Sequence, residues 1–309
     1  MKWFVAALAA VCVLAPSAHC ADDSIAWCYH EPTCNDTTWP TIAAPFCNGT
    51  RQSPINIDTS TATGNSALGP FTFTNFDSTT AMTKIENTGK TIKVALSGVS
   101  VSGGDLSETY QSLQFHLHWG NGSSVPGSEH TVDGKRYPME LHIVNIGASF
   151  NGDTSLAIAN STGLAALGFF IEADDATSSA SWQSLTSYLD NITVSGQSVS
   201  IAPGFSLDDL LTGVNRTSYW RYLGSLTTPA CNEAVIWTVF KDTVKVPSNL
   251  IDMFSTKLHI FNTTSSPTMV NVFRNIQADQ PVTTQAASST SKTCYSLGLM
   301  ALSLALGRS

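Results

Sequence analysis

The sequence predicts a mainly β protein with a minor helical component, and three observations support this fold class. Short segments with alternating apolar and polar residues dominate the chain. Clusters of Gly, Asn, Ser and Pro separate those segments. A length of 309 residues is ordinary for one β-rich domain, and no internal repeat or linker interrupts the segments. The predicted strands are 71–76, 92–96, 113–119, 140–145, 165–171 and 235–240.

Two segments, 182–189 and 206–211, are the candidates for helices. The second begins with Ser206, a residue type that caps helix N-termini. Asp208 and Asp209 follow in what would be its first turn, where acidic side chains are favoured. We expect both helices to lie at the periphery of the sheet.

A His-x-His pair stands on the predicted strand 113–119. Residues two apart on a strand share a face, so Gln114, His116 and His118 point to one side of the sheet. The apolar residues between and after them point to the other side. The strand therefore presents one polar and one apolar face.

The predicted strand 140–145 repeats the pattern, with Glu140, His142 and Val144 on one face. If the two strands are neighbours, three imidazoles converge. A glutamine and a glutamate, each two residues upstream of a histidine, would lie directly behind them.

Three neutral imidazoles can bind Zn²⁺ and leave its fourth tetrahedral position open for water, as in catalytic zinc sites. Each ligating imidazole needs an acceptor on its second ring nitrogen. Glu140 can serve His142, and the Gln114 side-chain carbonyl can serve one of the paired histidines. A lone histidine on a buried strand is more often a satisfied core residue than a ligand. Here 3 of the 7 histidines fall in one constellation, which favours a zinc site.

Together with the histidines, five further motifs resemble the α-class carbonic anhydrases over about residues 27–277. They follow one another in the order expected for that family. The motifs are RQSPINI at 51–57, GSEHTVDG at 127–134, YWRYLGSLTTP at 219–229, WTVF at 237–240 and NVFR at 271–274. Cysteine placement and both termini resemble those of the glycolipid-anchored extracellular members.

The resemblance implies one large twisted sheet, mostly antiparallel, with zinc at the bottom of a cone-shaped cleft. It also implies reversible hydration of CO₂ to bicarbonate and a proton by a zinc-bound hydroxide. In that family the metal is known to lower the pKa of its bound water to about 7. On this interpretation His116, His118 and His142 are the zinc ligands, and CO₂ and bicarbonate are the small-molecule partners.

The resemblance assigns further roles around the metal. Thr227 would accept a hydrogen bond from the hydroxide and donate its own hydrogen to Glu129, because a hydroxyl has a single hydrogen. Thr228 would contact bound bicarbonate. CO₂ is apolar, so its pocket is expected to be largely apolar. The candidate substrate-binding residues are Thr227, Thr228, Val144, Leu226, Leu164, Ala166 and Val235.

The fastest members of the family release the proton through a histidine that follows an Asn-Gly turn. Lys90 stands at that position in this sequence. A lysine with a pKa near 10.4 stays protonated at pH 7 and is a poor relay. We therefore expect an active enzyme that depends more on external buffer, although Lys90 could equally be a plain solvated residue. Tyr29 is a candidate for ordering water in the cleft.

Composition and charge limit the partners. The formal net charge is −8 at pH 7 and the pI is near 5.2, which argue against a nucleic-acid partner. Only 12% of the residues are charged, well under the typical value of about 25%. Glycans would then supply solubility that the sparse charges do not.

Both ends of the chain predict export and anchoring. Residues 1–20 have the features of a signal peptide, and the mature domain is assigned to 21–280. Residues 281–309 form a Ser/Thr-rich tail with an apolar end too short to span a bilayer. This pattern is typical of a glycolipid-anchor signal that is removed, with Ser288 or Ser289 as the attachment site. The enzyme would then lie on the outer membrane leaflet; the alternative is a soluble secreted protein.

Sequons and cysteines agree with export. Four cysteines of the mature domain form an even set, as in oxidising compartments. They permit three pairings, and the resemblance favours Cys28–Cys34 with Cys47–Cys231. Seven N-x-Ser/Thr sequons are candidate glycosylation sites. Their asparagines are Asn35, Asn48, Asn121, Asn160, Asn191, Asn215 and Asn262.

Two other functions compete with hydration of CO₂. An acatalytic carbonic-anhydrase-like binding module usually lacks a zinc histidine, whereas this chain has all three. A zinc hydrolase of another class would need a carboxylate base beside the metal, and Glu129 is expected to be engaged by Thr227. A monomer is expected.

Overall fold

The computed structural model describes residues 27–43 and 46–286. The predicted signal peptide and the candidate anchor residues Ser288 and Ser289 lie outside the described residues. The described chain is a single domain that is mostly sheet, with a few short helices. The predicted fold class is therefore confirmed.

Sixteen strands are formed within the described residues, and they include every strand predicted from the sequence. The strands 92–96 and 235–240 have the predicted bounds, whereas the two histidine-bearing strands are longer than predicted. The strands are β1 Asn56–Ile57, β2 Thr63–Asn65, β3 Phe71–Thr74, β4 Met82–Asn87, β5 Ile92–Leu96, β6 Ser100–Gly103, β7 Tyr110–Trp119, β8 Thr131–Val132, β9 Lys135–Arg136, β10 Met139–Gly147, β11 Leu164–Ala173, β12 Ser198–Ser200, β13 Tyr219–Gly224, β14 Val235–Phe240, β15 Val244–Val246 and β16 Thr283–Gln285.

The helices are short, and both predicted ones are present. Ser206 caps α4 as predicted, because its hydroxyl accepts a hydrogen bond from Asp209 N–H at 3.2 Å and the Asp209 carboxylate accepts from Ser206 N–H at 2.8 Å. No helix among the described residues is both long and apolar enough to cross a bilayer. The α-helices are α1 Trp39–Ile42, α2 Thr154–Ile158, α3 Ala180–Ser187, α4 Leu207–Leu210 and α5 Ser248–Lys257. Single 3₁₀ turns lie at Phe46–Asn48, Ala148–Phe150 and Tyr188–Asn191.

Thirteen of the strands form one mixed sheet in the order β12-β4-β5-β7-β10-β11-β14-β13-β16-β2, with β3, β6 and β15 attached beside this path. Most neighbours are antiparallel, as predicted. The parallel pairs are β11 with β14, β11 with β15 and β16 with β2. The histidine-bearing strands β7 and β10 lie side by side in the middle of this sheet, where both edges of each strand are paired.

The apolar face of β7 fixes which side its histidines occupy. Phe115, Leu117 and Trp119 are all buried in the larger hydrophobic core. Trp119 packs on Phe254 of α5 with ring centroids 5.3 Å apart, and its indole N–H donates to the Met269 carbonyl at 2.7 Å. A shift of register by one residue would expose these rings and bury the polar face, so packing holds the register.

Two disulfides join the N-terminal region to itself and to the sheet. Cys28 is bonded to Cys34, and Cys47 is bonded to Cys231, which confirms both predicted pairings. The second bond links residues 184 apart in the sequence. It ties the segment after Thr228 to the N-terminal region beneath it.

The sheet extends beyond the boundary at 280 that composition suggests. Thr283–Gln285 form β16, which pairs with β13 at Trp220 and Arg221 and with β2 on its other side. Val282 is buried in a second core cluster, which also contains Trp220 and Tyr222 of β13. The threonines of this segment are β-branched and therefore suit a strand. The same threonines resemble the Ser/Thr-rich tail that follows, so composition alone assigns the segment to the tail.

Candidate metal centre and active site

The antiparallel pairing of β7 and β10 brings the three histidines together. His142 lies opposite His116, and Glu140 lies opposite His118. The three imidazole centroids are 4.6–5.3 Å apart. The two strands are therefore neighbours, as the convergence of imidazoles requires.

Each imidazole is held by an acceptor on one ring nitrogen. Gln114 Oε1 lies 3.0 Å from His116 Nδ1, and Glu140 Oε1 lies 2.7 Å from His142 Nε2. The Val272 main-chain carbonyl lies 2.8 Å from His118 Nδ1. The first two acceptors were predicted from the sequence; the third was missed, because a main-chain oxygen has no residue-type signal. Since these oxygens accept, they place the hydrogen on the contacted nitrogen and leave the other nitrogen with a free lone pair.

The free nitrogens face one another. His118 Nε2 and His142 Nδ1 are buried and have no hydrogen-bond partner among the described residues. Buried polar atoms rarely lack partners, so these two atoms indicate a missing ligand. One nitrogen from each of the three histidines falls in a group whose atoms lie within 4.8 Å of one another, which makes His116, His118 and His142 a possible metal site. Three imidazole nitrogens are the donor set of a catalytic zinc.

Burial keeps two of the three imidazoles, those of His116 and His118, uncharged. It lowers the pKa of His118 to about 3, with the neighbouring His142 acting in the same direction. Burial and the two neighbouring imidazoles also hold the pKa of His116 well below its usual value. A metal can bind only the unprotonated ring, so both groups are in the ligating form at pH 7.

Glu140 is the hub of a buried network behind the metal site. Its Oε2 accepts the main-chain N–H groups of Glu129 and His130, each at 2.8 Å. Its Oε1 is shared between His142 and the His130 ring, which lies 2.6 Å away. Burial acts to raise the pKa of Glu140, but His130 and His142 outweigh it and hold the pKa well below its usual value. Glu140 therefore stays ionised and fixes the loop that carries Glu129.

His130 extends this network and had no role in the sequence prediction. Its Nε2 lies 2.6 Å from the Tyr222 hydroxyl, which donates to Ser53 at 2.9 Å. The three residues belong to three motifs that carry the family resemblance, and that coincidence was the signal available in the sequence.

Glu129 lies between the metal site and the threonines. Its Oε1 accepts the Arg274 main-chain N–H at 2.9 Å. Its Oε2 lies 3.4 Å from His118 Nε2 and 3.9 Å from His142 Nδ1. Burial raises the pKa of Glu129 to about 6, against the lowering effects of His142 and of the Thr227 hydroxyl.

The Thr227 hydroxyl lies near the Glu129 carboxylate. However, Glu129 Oε2 has no hydrogen-bond partner among the described residues. The predicted interaction is thus present as proximity rather than as a completed hydrogen bond. Thr227 itself is buried.

A cavity of about 130 Å³ opens beside the histidines. Its walls include all seven side chains predicted to bind substrate, and Gln114, His116 and His142 complete its polar side. Trp237 also lines the cavity and was missed. It belongs to the WTVF motif and stands two residues after Val235, so the two side chains share one face of the strand, which was the signal available in the sequence.

Lys90 and Tyr29 lie elsewhere, at a second cavity of about 560 Å³ near the N-terminal disulfide. Lys90 Nζ is 5.1 Å from the Trp27 ring centroid, and burial lowers the pKa of Lys90. Tyr29 packs on Trp27 and Trp39. Burial and then the Glu129 charge raise the pKa of Tyr29 well above its usual value. Neither side chain lines the cavity beside the histidines.

Comparison with known proteins agrees with this arrangement. The family model of the eukaryotic-type carbonic anhydrases matches residues 34–285. The chain is 38% identical to carbonic anhydrase 4 of Oryctolagus cuniculus over 249 residues, which cover 77% of each chain. It is 33% identical to carbonic anhydrase 12 of Homo sapiens over 299 residues, covering 94% of this chain and 82% of the relative. Carbonic anhydrase 6 of Bos taurus shares 35% identity over 234 residues, covering 75% and 72%. The chain belongs to the eukaryotic-type carbonic anhydrase family.

Proposed function

We propose that this protein catalyses the reversible hydration of CO₂ to bicarbonate and a proton. The observation that carries the proposal is the meeting of three anchored imidazoles with a small cavity whose remaining walls are mostly apolar. A metal site and a pocket for an apolar molecule then lie side by side. Family membership supports the same reaction.

His116, His118 and His142 would hold a zinc ion through the ring nitrogens that their acceptors leave free. Zinc, when bound, is a Lewis acid that lowers the pKa of a coordinated water to about 7, a known property of carbonic anhydrases. Glu129 Oε2, at 3.4 and 3.9 Å from two of these nitrogens, adds negative charge that favours a cation there.

The walls of the cavity select the substrate. Val144, Leu164 and Val235 present aliphatic surface that suits an apolar molecule of the size of CO₂. Thr228 adds a hydroxyl at the same cavity, where it can contact the charged product. Substrate entry is thus favoured on the apolar side and product recognition on the polar side.

Thr227 would orient the reacting oxygen. A pKa of about 6 leaves Glu129 mostly ionised at pH 7, so its carboxylate attracts the single hydrogen of Thr227. The Thr227 oxygen can then only accept. It would favour a reacting group that has a hydrogen to donate, and the Arg274 main-chain N–H keeps Glu129 in place for this role.

Proton release is proposed to depend on external buffer. Burial lowers the pKa of Lys90, whereas its contact with the Trp27 ring acts in the opposite direction and favours the charged ammonium form. A group that stays charged exchanges protons poorly near pH 7. Lys90 therefore would not replace the histidine relay of faster enzymes.

We also propose that the protein is exported, glycosylated and held on the outer membrane leaflet by a glycolipid. The sequons and the two disulfides support export, and the composition of residues 281–309 supports the anchor. An enzyme in that place would act on extracellular CO₂ and bicarbonate as a monomer.

The proposed reaction is tested with the protein purified from cells that export it. We expect one zinc per chain by metal analysis, CO₂ hydration in a stopped-flow pH assay, and inhibition by an aryl sulfonamide. Bound zinc without hydration would favour the acatalytic binding module. Ester hydrolysis without CO₂ hydration would favour a zinc hydrolase of another class.

A further inference from the structure

Two exposed phenylalanines, Phe46 and Phe261, lie beside sequons, and Phe261 also lines the second cavity. Four large hydrophobic side chains are exposed among the described residues: Phe46 at 47%, Leu156 at 60%, Leu223 at 43% and Phe261 at 57%. Phe46 precedes the asparagine of one sequon by two residues and Phe261 directly precedes that of another, as Phe46-Cys47-Asn48-Gly49-Thr50 and Phe261-Asn262-Thr263-Thr264. A single exposed apolar side chain is ordinary on a protein surface, so the position of both rings beside a sequon, rather than their exposure alone, is the informative feature.

Phe46 and its sequon asparagine lie in one fixed turn of the backbone. Phe46 and Asn48 belong to one 3₁₀ turn, in which the Gly49 N–H donates to the Phe46 carbonyl at 3.0 Å. Cys47 between them is buried and disulfide-bonded to Cys231, so the turn is fixed. Residues two apart in such a turn differ by only about 4 Å along its axis. They also differ by about 120° around that axis, so a sugar on Asn48 has to bend back across the turn to contact the Phe46 ring.

The second ring lies on a loop that is closed at its base. His259 forms an isolated β-bridge with Thr268, and the Ile260 N–H donates to the Pro267 carbonyl at 3.2 Å. Phe261 and Asn262 follow at once, and both are exposed. The asparagine side chain makes no hydrogen bond among the described residues, so its amide is free for modification.

Another sequon of the chain provides a contrast at identical spacing. Trp119 precedes Asn121 by two residues, as Phe46 precedes Asn48. Trp119 is only 1% exposed and its indole N–H is engaged by Met269, so no sugar can reach that ring. The exposed rings at the other two sequons are therefore not a simple consequence of sequence spacing.

We propose that N-linked glycans on Asn48 and Asn262 cover Phe46 and Phe261, with the first N-acetylglucosamine packing its C–H face on each ring. Aromatic faces carry partial negative charge and attract such C–H groups. The covered ring loses apolar surface to water, which stabilises the fold. The proposal rests on the proposed export of the chain and is independent of the proposed reaction.

Attachment requires a lipid pyrophosphate oligosaccharide as the co-reactant. The asparagine Nδ2 forms a bond to C1 of the first sugar, and the C1–O bond to the pyrophosphate breaks. The pyrophosphate leaves with the bonding electrons, and Nδ2 gives up one proton to solvent. No oxidant or reductant takes part.

Site occupancy is the first test. The full chain is expressed in cultured cells that glycosylate, the protein is recovered from the membrane fraction and from the medium, and glycopeptides are identified by mass spectrometry. We expect glycans at both Asn48 and Asn262. Absence of glycan from these two asparagines overturns the proposal. Absence from all seven sequons overturns it together with the proposed export, while CO₂ hydration by the same sample still reports on the reaction separately.

The contact itself is tested by a double-mutant cycle. We expect Asn262→Gln to lower the thermal midpoint by about 2–4 °C when Phe261 is present, and by less than about 1 °C in a Phe261→Ser background. The same cycle applies to Asn48→Gln with Phe46→Ser. Asn191→Gln is the matched control, because Asn191 is exposed, has threonine at the third sequon position and has Leu189 and Asp190, rather than aromatic residues, directly before it.

Enzymatic trimming provides a measurement that needs no variant. An endoglycosidase that leaves one N-acetylglucosamine should keep the thermal midpoint, whereas an amidase that removes the whole glycan should lower it. A midpoint that falls equally in both treatments overturns the contact, because it places the effect in the outer sugars. An Asn262→Gln shift that survives in Phe261→Ser overturns it as well.

Discussion

The metal site, here called the floor, and the second cavity around Lys90, here called the rim, are built in different ways. At the floor, every imidazole of the metal site has one nitrogen fixed by an acceptor at 2.7–3.0 Å, and strand pairing sets the register of the rings. At the rim, Lys90 is placed by a turn and by contact with the Trp27 ring. The geometry of the metal site therefore depends on the pairing of the sheet strands. Residues at the rim can be substituted without disturbing that pairing.

The strongest way to break this contrast is to remove a floor histidine. His118→Ala should release zinc and lower CO₂ hydration at least about 10⁴-fold, because two imidazoles and a water hold the metal weakly. Metal analysis and stopped-flow assays measure both effects. His259→Gln, which alters a histidine on an outer loop, serves as the control and should keep full activity. A His118→Ala protein that retained zinc and activity would refute the assigned ligand set.

The two disulfides compare floor and rim in terms of stability. Replacing Cys47 and Cys231 by serine should lower the free energy of unfolding by roughly 5 kcal/mol, and replacing Cys28 and Cys34 by about 2 kcal/mol, because the longer loop restricts the unfolded chain more. The sequence separations are 184 and 6 residues. Urea unfolding measures both. Equal losses would show that native contacts, rather than loop length, dominate.

A substitution with a smaller expected effect tests whether the acceptors behind the imidazoles contribute to zinc binding. Gln114→Ala leaves His116 without its partner and should weaken zinc affinity about 10–100-fold. Competition with a chelating dye gives the dissociation constant. Gln111→Ala, on the exposed face of the same strand, is the matched control and should not change affinity. An unchanged constant for Gln114→Ala would mean that packing alone orients the ring.

The smallest effect is expected at the rim. Lys90→His should raise turnover several-fold in weak buffer and hardly at all in strong buffer, because imidazole exchanges protons near pH 7. Lys90→Leu removes the charge without adding a relay and is the control. Turnover against buffer concentration is the measurement. Lack of a gain in weak buffer would remove Lys90 from the path of the proton.

Strand periodicity predicted the floor well. The alternation around His116 and His142 placed both histidines on one face, and their side-chain partners Gln114 and Glu140 stood two residues away in the sequence. Such short spacings convert directly into geometry on a strand. The wall residues of the cavity came from family resemblance, since no local pattern connects Leu164 with Thr227.

What the sequence did not predict depended on long-range or main-chain contacts. Every residue type has a main-chain carbonyl, so nothing in the sequence marks that of Val272 as the acceptor for His118. The tail-like composition of Thr283–Gln285 concealed a strand that only pairing with β13 reveals. Helix α5 was also not predicted, although the sequence contains a signal for it. Leu250, Ile251 and Phe254 have helical spacing and are buried, so a stricter search for periodicity would have found the helix.

The bond to the Val272 carbonyl makes one anchor of the metal site independent of residue identity. Substituting the side chain at 272 leaves the oxygen where it is, so this anchor tolerates point changes that would abolish those supplied by Gln114 or Glu140. Its weakness is of another kind: an insertion or deletion between the end of α5 and Arg274 would pull the oxygen away and let one imidazole rotate. We expect the metal site to tolerate changes of amino-acid sequence in that loop but not changes of its length.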